Sequence, residues 1–402
     1  MTKNFINFHV LISHSPSCLN RDDMNMQKTA VFGGVNRVRI SSQSLKHWMR
    51  KGDYYKANFE GSTRTRRLLD MLGADLMEQQ TSDEAKKAAE QAALYAAAVF
   101  EGKTKPDEIK KYKRADNGCI ETQVVPYHSG EIDRLRAILR EAVKQKESER
   151  LGFVRDSIGK MQQEQAKSVS LDVALSGRMA NSELIYNVDG ALAVAHAITT
   201  HAVEPQDVDW FTAVDDLTQD AGETGAGHLN TQQFSSGVFY RYASLNLKQL
   251  QVNLGLLADM KSPETPDSRK RALDIARHAF HMLATVVPSA KQQSFAAHNL
   301  ADFALVSFAD QPISLANAFE QPVKKDYRNG GFLKPSIQSL GEYWARMNRA
   351  YGLSENARAF AVENVSIPGN QDGSELVKVD GKPALDSLAA LENWIANDGQ
   401  PG

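Results

Sequence analysis

The hydrophobic period changes sharply between residues 35 and 51, and that change limits what the chain can build. VNRVRI (35 to 40) alternates, which predicts a strand with Val38 and Ile40 on one face and Arg37 and Arg39 on the other. SQSLKHWMRK (42 to 51) then repeats at the helical period. It predicts a helix capped by Ser42, with Leu45, Trp48 and Met49 on an apolar side and Gln43, Lys46, His47 and Arg50 on a basic one. An arginine-bearing strand feeds a helix with a basic stripe.

Charge is segregated around this pair of elements. Residues 21 to 67 hold 11 Lys or Arg against 4 Asp or Glu, a local balance of +7; the whole chain is −2, which leaves −9 for the rest. Arg21, Lys28, Lys46 and Arg50, with the neutral donors Ser41 and Gln43 beside them, suit a row of phosphates, because side-chain and backbone N–H groups at a helix start can all face anions. The same run also fits a solvated charged face. Composition alone leaves both readings open.

At 402 residues, with 42% hydrophobic and 24% charged, the chain is long enough for one large domain or two ordinary ones around a real core. Its apolar N-terminal run is broken by Asn7 and His9 and reads as a strand, not a signal peptide, and no segment approaches a membrane span. Cys18 and Cys119 allow at most one disulfide and make no metal-ligand cluster, which fits a reducing cytoplasm.

INFHVLI (6 to 12) alternates as a half-buried strand does. Residues 62 to 170 turn polar, Ala-rich and helical. Thr81 and Glu84 predict a capping box before a helix to about Phe100, and Ser129 predicts the cap of a second helix with Ile132, Leu135, Leu139 and Ala142 in one stripe. This reads as a helical insertion, equally compatible with a self-contained bundle and with a contact surface. Residues 234 to 247 then read as a strand, 269 to 287 as an amphipathic helix and 303 to 308 as another strand. Together they predict an α+β chain around an antiparallel sheet of the ferredoxin-like type. Residues 364 to 374 look like a linker into a short C-terminal helix with Leu385, Leu388, Leu391 and Ile395 on one face.

Residues 202 to 227 carry seven acidic residues and no Lys or Arg, yet Trp210, Phe211 and Val214 sit among them. Bulky apolar groups on a polar excursion mark a docking site or pack into their own domain. In LSGRMA (175 to 180), Gly177 would permit a close backbone approach, Arg178 would meet a phosphate, and Met179 would lie against a base or fill a core.

Spacing argues against catalysis. His196 and His201 are five apart and do not share a helix face, Asp215 and Asp216 lack a third ligand at a recognisable spacing, and Gly33-Gly34 is followed by no Lys-Ser/Thr. The sequence predicts no catalytic set, no metal site and no cofactor.

The words NFINFHVLISHSPSCLNRDDMNMQK, FGG and RVRISSQSLK, and further on LSGRMA, VDGALAVAHAITTH, DWFTAVDDL, FSSGVFYRYA and HMLATVVPSAKQ, resemble the CasC family, the repeated backbone subunits of the type I-E Cascade complex of CRISPR immunity. The resemblance spans most of residues 4 to 350 and is weak from about 52 to 170 and after 352. It implies an RRM-like palm (1 to 51 and 171 to 362), a helical fingers insertion (52 to 170), a protruding thumb hairpin (202 to 233) and a C-terminal linker and helix (363 to 402). It further implies guide RNA held by Arg21, Lys28, Ser41, Gln43, Lys46, Arg50, Arg178 and Met179, with Trp210, Phe211 and Val214 as a wedge that kinks the RNA of the next subunit. The implied partners are the guide RNA, target DNA reached through the guide, other copies in a helical filament (hexameric in the family), the remaining Cascade subunits and a recruited helicase-nuclease.

Four positions depart from the family pattern: His47, Trp48, Gln293 and His298, of which His47 removes a permanent charge from the basic stripe. Two rival classes remain: an RNA-processing endoribonuclease on the same fold, and an assembly module that touches only protein.

Overall fold

The computed structural model of the chain describes residues 2–59, 61–103, 105–165, 169–179, 187–211, 229–328, 330–362, 378–379 and 382–401. These residues fall into two units. One comprises Met1–Tyr55, Ala193–Asn246 and Lys270–Gly402, the other Lys56–Leu192 and Leu247–Arg269.

The first unit is built on an antiparallel sheet. Among its nine described strands are β1 (Phe5–Ser17), β2 (Thr29–Phe32), β3 (Val35–Ile40), β4 (Ala197–Thr199), β5 (Gln206–Phe211), β6 (Leu229–Asn246), β7 (Phe303–Ala309) and β8 (Asn356–Ala361); the ninth, Leu192–Val194, pairs with β6. They lie in the order β8-β7-β1-β6-β4-β3-β2, with β5 paired to the start of β6. Among the helices of this unit are α1 (Ser42–Lys51), α2 (Pro266–Thr285, from Lys270 onward), α3 (Leu333–Tyr351) and α4 (Leu388–Ala396).

β1 is central, and both of its faces are covered. Ile6, Phe8, Val10 and Ile12 are fully buried on one face, where the Phe8 ring stacks on Phe280 of α2 at 5.9 Å. Leu11 faces the other way and joins Tyr240, Phe303, Leu305, Ile337, Leu340 and Trp344 in a core cluster under α3. Each such side chain stabilises the fold by about 1.5–3 kcal/mol through burial.

The alternation in residues 6 to 12 therefore does not mark a half-buried strand, because its polar members are interior too. Asn7 accepts hydrogen bonds from Ile313 N and the Tyr242 hydroxyl, and His9 Nδ1 lies 2.8 Å from the Tyr240 hydroxyl. The Tyr240 oxygen also accepts from Leu315 N, and burial lowers the His9 pKa to about 3.

In the second unit, helix Asp83–Phe100 turns Ala89, Ala92, Ala93, Ala96 and Ala97 fully inward. Side chains this small let helices approach closely: a Cβ at Gly73 of helix Leu68–Glu78 would sit 2.8 Å from Ala93 Cβ. Ser82, not a Thr81–Glu84 box, caps the Ala-rich helix, accepting from Ala85 N. Helix Ser129–Lys144 is capped by His128, which accepts from Gly130 N and donates its backbone N–H to Glu131. Residues 171 to 192 and 247 to 269 lie in this unit as well; Asn253 ties them together by donating to Ala174 O and Asp189 O.

Candidate nucleic-acid interface

α1 is capped by Ser41, one residue before the predicted cap. The Ser41 hydroxyl accepts from Ser44 N at 3.3 Å, and its backbone N–H donates to the Asn20 side chain at 2.9 Å. Two adjacent serines offer two candidate caps, and the anchor from Asn20 selects the first. Leu45 and Met49 are buried, and Leu45 packs with Leu19, Val38, Ile40, Ala197 and Phe239. That packing turns Gln43, Lys46, His47 and Arg50 away from the core, with Gln43 and His47 exposed and Lys46 and Arg50 half-buried. The first turn carries no acid and the last holds Arg50 and Lys51. Burial, then Arg50 and Lys51, lower the His47 pKa, so it is neutral at pH 7.

The loop between β1 and β2 extends the basic surface. Asp22 accepts from Met24 N and Met26 N, both at 2.9 Å, which closes a tight Asx turn. Gln27 fastens it to the sheet by donating its side chain to Ser17 O and its backbone N–H to Gln233. Arg21, whose guanidinium donates to the Asn25 side chain, and Lys28 are left half-buried at its two ends.

Arg39 joins this surface although the site residues read from the sequence did not include it. Its Nε donates to Thr29 O and its Nη1 lies 3.1 Å from His196 Nδ1. Burial, then Arg39 and Lys28, lower the His196 pKa, which keeps that nitrogen available as an acceptor. His196 is 157 residues from Arg39, so nothing local announces the pair.

Arg37 is the correction. Alternation places it with Arg39 on an outward face, but it is fully buried, and its guanidinium donates to the carbonyls of Phe32, Thr199 and Phe319. It fastens the β2–β3 hairpin to two distant segments and is not part of the basic surface.

Arg178 and Met179 lie in the second unit. The Arg178 guanidinium pairs with Glu131 at 2.7 Å, both side chains nearly buried, and its backbone exchanges hydrogen bonds with Val188. The close approach at Gly177 (φ +79°) is made by the chain itself: a Cβ there would sit 2.9 Å from both Gly190 N and Val188 O. Met179, by contrast, is 85% exposed. Trp210 and Phe211 end strand β5, their backbones paired with Asn230 and Leu229 of β6, so residues 206 to 211 and 229 to 234 are the arms of a hairpin. Val214 and the acidic pair Asp215 and Asp216 lie outside the described residues.

Among the described residues there is no group of three or more His, Cys, Asp or Glu able to hold a metal ion, and no helix long and apolar enough to cross a membrane. Cys18 and Cys119 are both free.

Fold and surface define an α+β protein with an antiparallel sheet whose β2–β3 edge, with α1, carries a segregated basic face. The chain belongs to the CT1975-like family of Cas proteins, whose model matches residues 6–391. It is similar to a chain of a "CRISPR RNA-guided surveillance complex, pre-nicking" at 27% identity and a TM-score of 0.74, over 98% of this chain and 100% of that one. A chain of a second "CRISPR RNA-guided surveillance complex" shares the fold at 22% identity and a TM-score of 0.65, over 98% and 99%. No curated protein matches.

Proposed function

We propose that the chain is a non-catalytic backbone subunit of a CRISPR surveillance complex of the type I-E Cascade class, polymerising head to tail along guide RNA in the cytoplasm. The observation that carries this reading is the basic face of α1 and the β2–β3 edge, on a chain that aligns end to end with a surveillance-complex subunit. Arg21, Lys28, Gln43, Lys46 and Arg50 grip the ribose-phosphate chain without reading its sequence, Arg39 and His196 extend that grip, and Ser41 fixes the start of the helix that presents it. Arg178, held by Glu131, sets the loop from which Met179 reaches a base. Trp210, Phe211 and Val214 form the wedge that kinks the RNA held by a neighbouring copy. Exposed guide bases then pair with target DNA, so base pairing supplies specificity and the protein supplies shape. A head-to-tail interface that does not close gives the helical filament such binding needs. The other Cascade subunits complete the complex, and a recruited helicase-nuclease cuts.

The reading is tested by salt titration. Affinity for single-stranded RNA falls with salt at a log–log slope of about −0.7 per phosphate contacted, and Lys46→Ala flattens that slope by about 0.7. An assembly module that touches only protein gives weak, nearly salt-independent binding in both proteins.

A further inference from the structure

A second cationic surface lies in the first unit, on residues that the guide-binding reading does not use. Beside the start of α3 is an open groove of about 1120 Å³. Lys324, Lys325 and Arg328 line it from the preceding loop, Lys334 and Arg346 from the helix, and all five are exposed. Three carboxylates, Glu320, Asp326 and Glu342, also line it, which leaves an excess of two positive charges. Two of the three are engaged: Asp326 accepts from Arg328 N at 2.8 Å and Glu342 accepts from Gln338 at 3.0 Å.

The loop is built to present an aromatic ring. Asp326 N donates to Gly331 O and Gly330 N donates to Asp326 O, both at 2.9 Å, with Gly330 and Gly331 at φ +74° and +75°. This closed turn leaves Tyr327 83% exposed. Its base is anchored: Val323 N donates to Thr200 O, Phe332 stacks on His201 at 3.7 Å, and the Thr200 and Ser336 hydroxyls bond at 2.8 Å. The Tyr327 ring has no apolar cover and is followed directly by Arg328, so its flat face is open to another flat ring. On the helix side no side chain caps the first turn of α3 and no acid lies in it, so its positive end adds to the field of Lys334. Arg346 lies over the Tyr343 ring at 5.7 Å, which holds its charge on the groove wall.

We propose that this groove binds a second single-stranded polynucleotide, its bases stacking on Tyr327 and its phosphates passing between Lys324, Lys325 and Arg328 of the loop and Lys334 and Arg346 of α3. Cations distributed over two elements match a chain of phosphates better than one isolated anion, and the exposed ring gives a base its π face, a sequence-tolerant contact. The groove adjoins the hairpin turn at Gly33, which packs on the Glu320 carbonyl, but shares none of the residues assigned to the guide.

The test uses the full-length chain freed of copurified nucleic acid, probed with oligo(dT) and oligo(U) bearing 5-iodouracil. Irradiation should crosslink either probe to the peptide containing Tyr327. Tyr327→Ala should weaken binding about tenfold while Tyr327→Trp restores it, and Lys324→Ala with Arg328→Ala should flatten the log–log salt slope by about 1.4. Lys46→Ala should leave the Tyr327 crosslink in place, which separates this site from the guide surface. Stronger crosslinking by oligo(dT) assigns the groove to a DNA strand, and stronger crosslinking by oligo(U) assigns it to RNA. Wild-type binding by both groove variants with no crosslink at Tyr327 overturns the proposal. So does a change in self-association without a change in oligonucleotide binding, which would mark the groove as a site for an acidic protein segment. Loss of RNA binding in Lys46→Ala alone would uphold the guide reading while this one fails.

Discussion

Arg37→Ala is expected to lower folding stability by about 3–5 kcal/mol, because it leaves three carbonyls facing a buried hole where a guanidinium had bonded all of them. Chemical denaturation followed by tryptophan fluorescence measures the loss. Arg37→Lys should recover little of it, since a single ammonium cannot reproduce a planar fork aimed at Phe32, Thr199 and Phe319. That pair of variants separates a structural role from a phosphate contact. A phosphate ligand would tolerate lysine, would scarcely affect stability, and would show its loss as a change in the salt dependence of RNA binding. Retention of wild-type stability in both variants would remove Arg37 from the account of the fold.

The second large effect is at the adjacent turn. Phe32 pairs directly with Val35, so Gly33 and Gly34 form a two-residue hairpin loop, with φ +62° and +75°, the type I′ geometry that suits the twist of the strands. Both positions disfavour a side chain by about 1–2 kcal/mol for the left-handed backbone alone. Only Gly33 also packs on another segment: a Cβ there would fall inside the van der Waals shell of Glu320 O, whereas a Cβ at Gly34 meets nothing within 4 Å. Gly33→Ala should therefore cost about 3 kcal/mol or more and Gly34→Ala about 1–2 kcal/mol. Equal costs in the same denaturation experiment would show that the hairpin does not rest on the 319–320 segment.

These two sites also show where the sequence stops being legible. The strands that became β1, β3, β6 and β7, and the helices that became α1 and α2, are marked by local periods of two and 3.6, which any short window contains. The role of Arg37 is not local. Its partners Thr199 and Phe319 lie 162 and 282 residues away, and periodicity reports which side of a strand a residue is on, not what covers that side. Asn7 and His9 mislead for the same reason, their acceptors and donors coming from residues near 240 and 313. The cap of α1 is displaced by one residue because Asn20, far from it in sequence, chooses between Ser41 and Ser42.

The candidate interface divides likewise. Lys46 and Arg50 are legible because the apolar stripe of α1 fixes which side faces out, and the charge count singles out the region that holds them. The pairing of Arg178 with Glu131 is not, since a buried ion pair leaves no periodic trace. The Tyr327 loop carries a signal that was available in KKDYRNGG, adjacent cations and an aromatic ahead of a glycine pair, but only the groove beside α3 gives that run a ligand class.

The most direct measurement of the central claim is to express the chain beside a CRISPR array, purify it through nuclease treatment, and sequence the RNA that stays bound. A subunit that grips ribose-phosphate through the basic face of α1 and its neighbouring hairpin returns protected RNA of guide length carrying spacer sequence, and Lys46→Ala with Arg50→Ala returns much less of it. Recovery of no RNA, or of fragments drawn at random from the transcriptome and equally from the double variant, would contradict it.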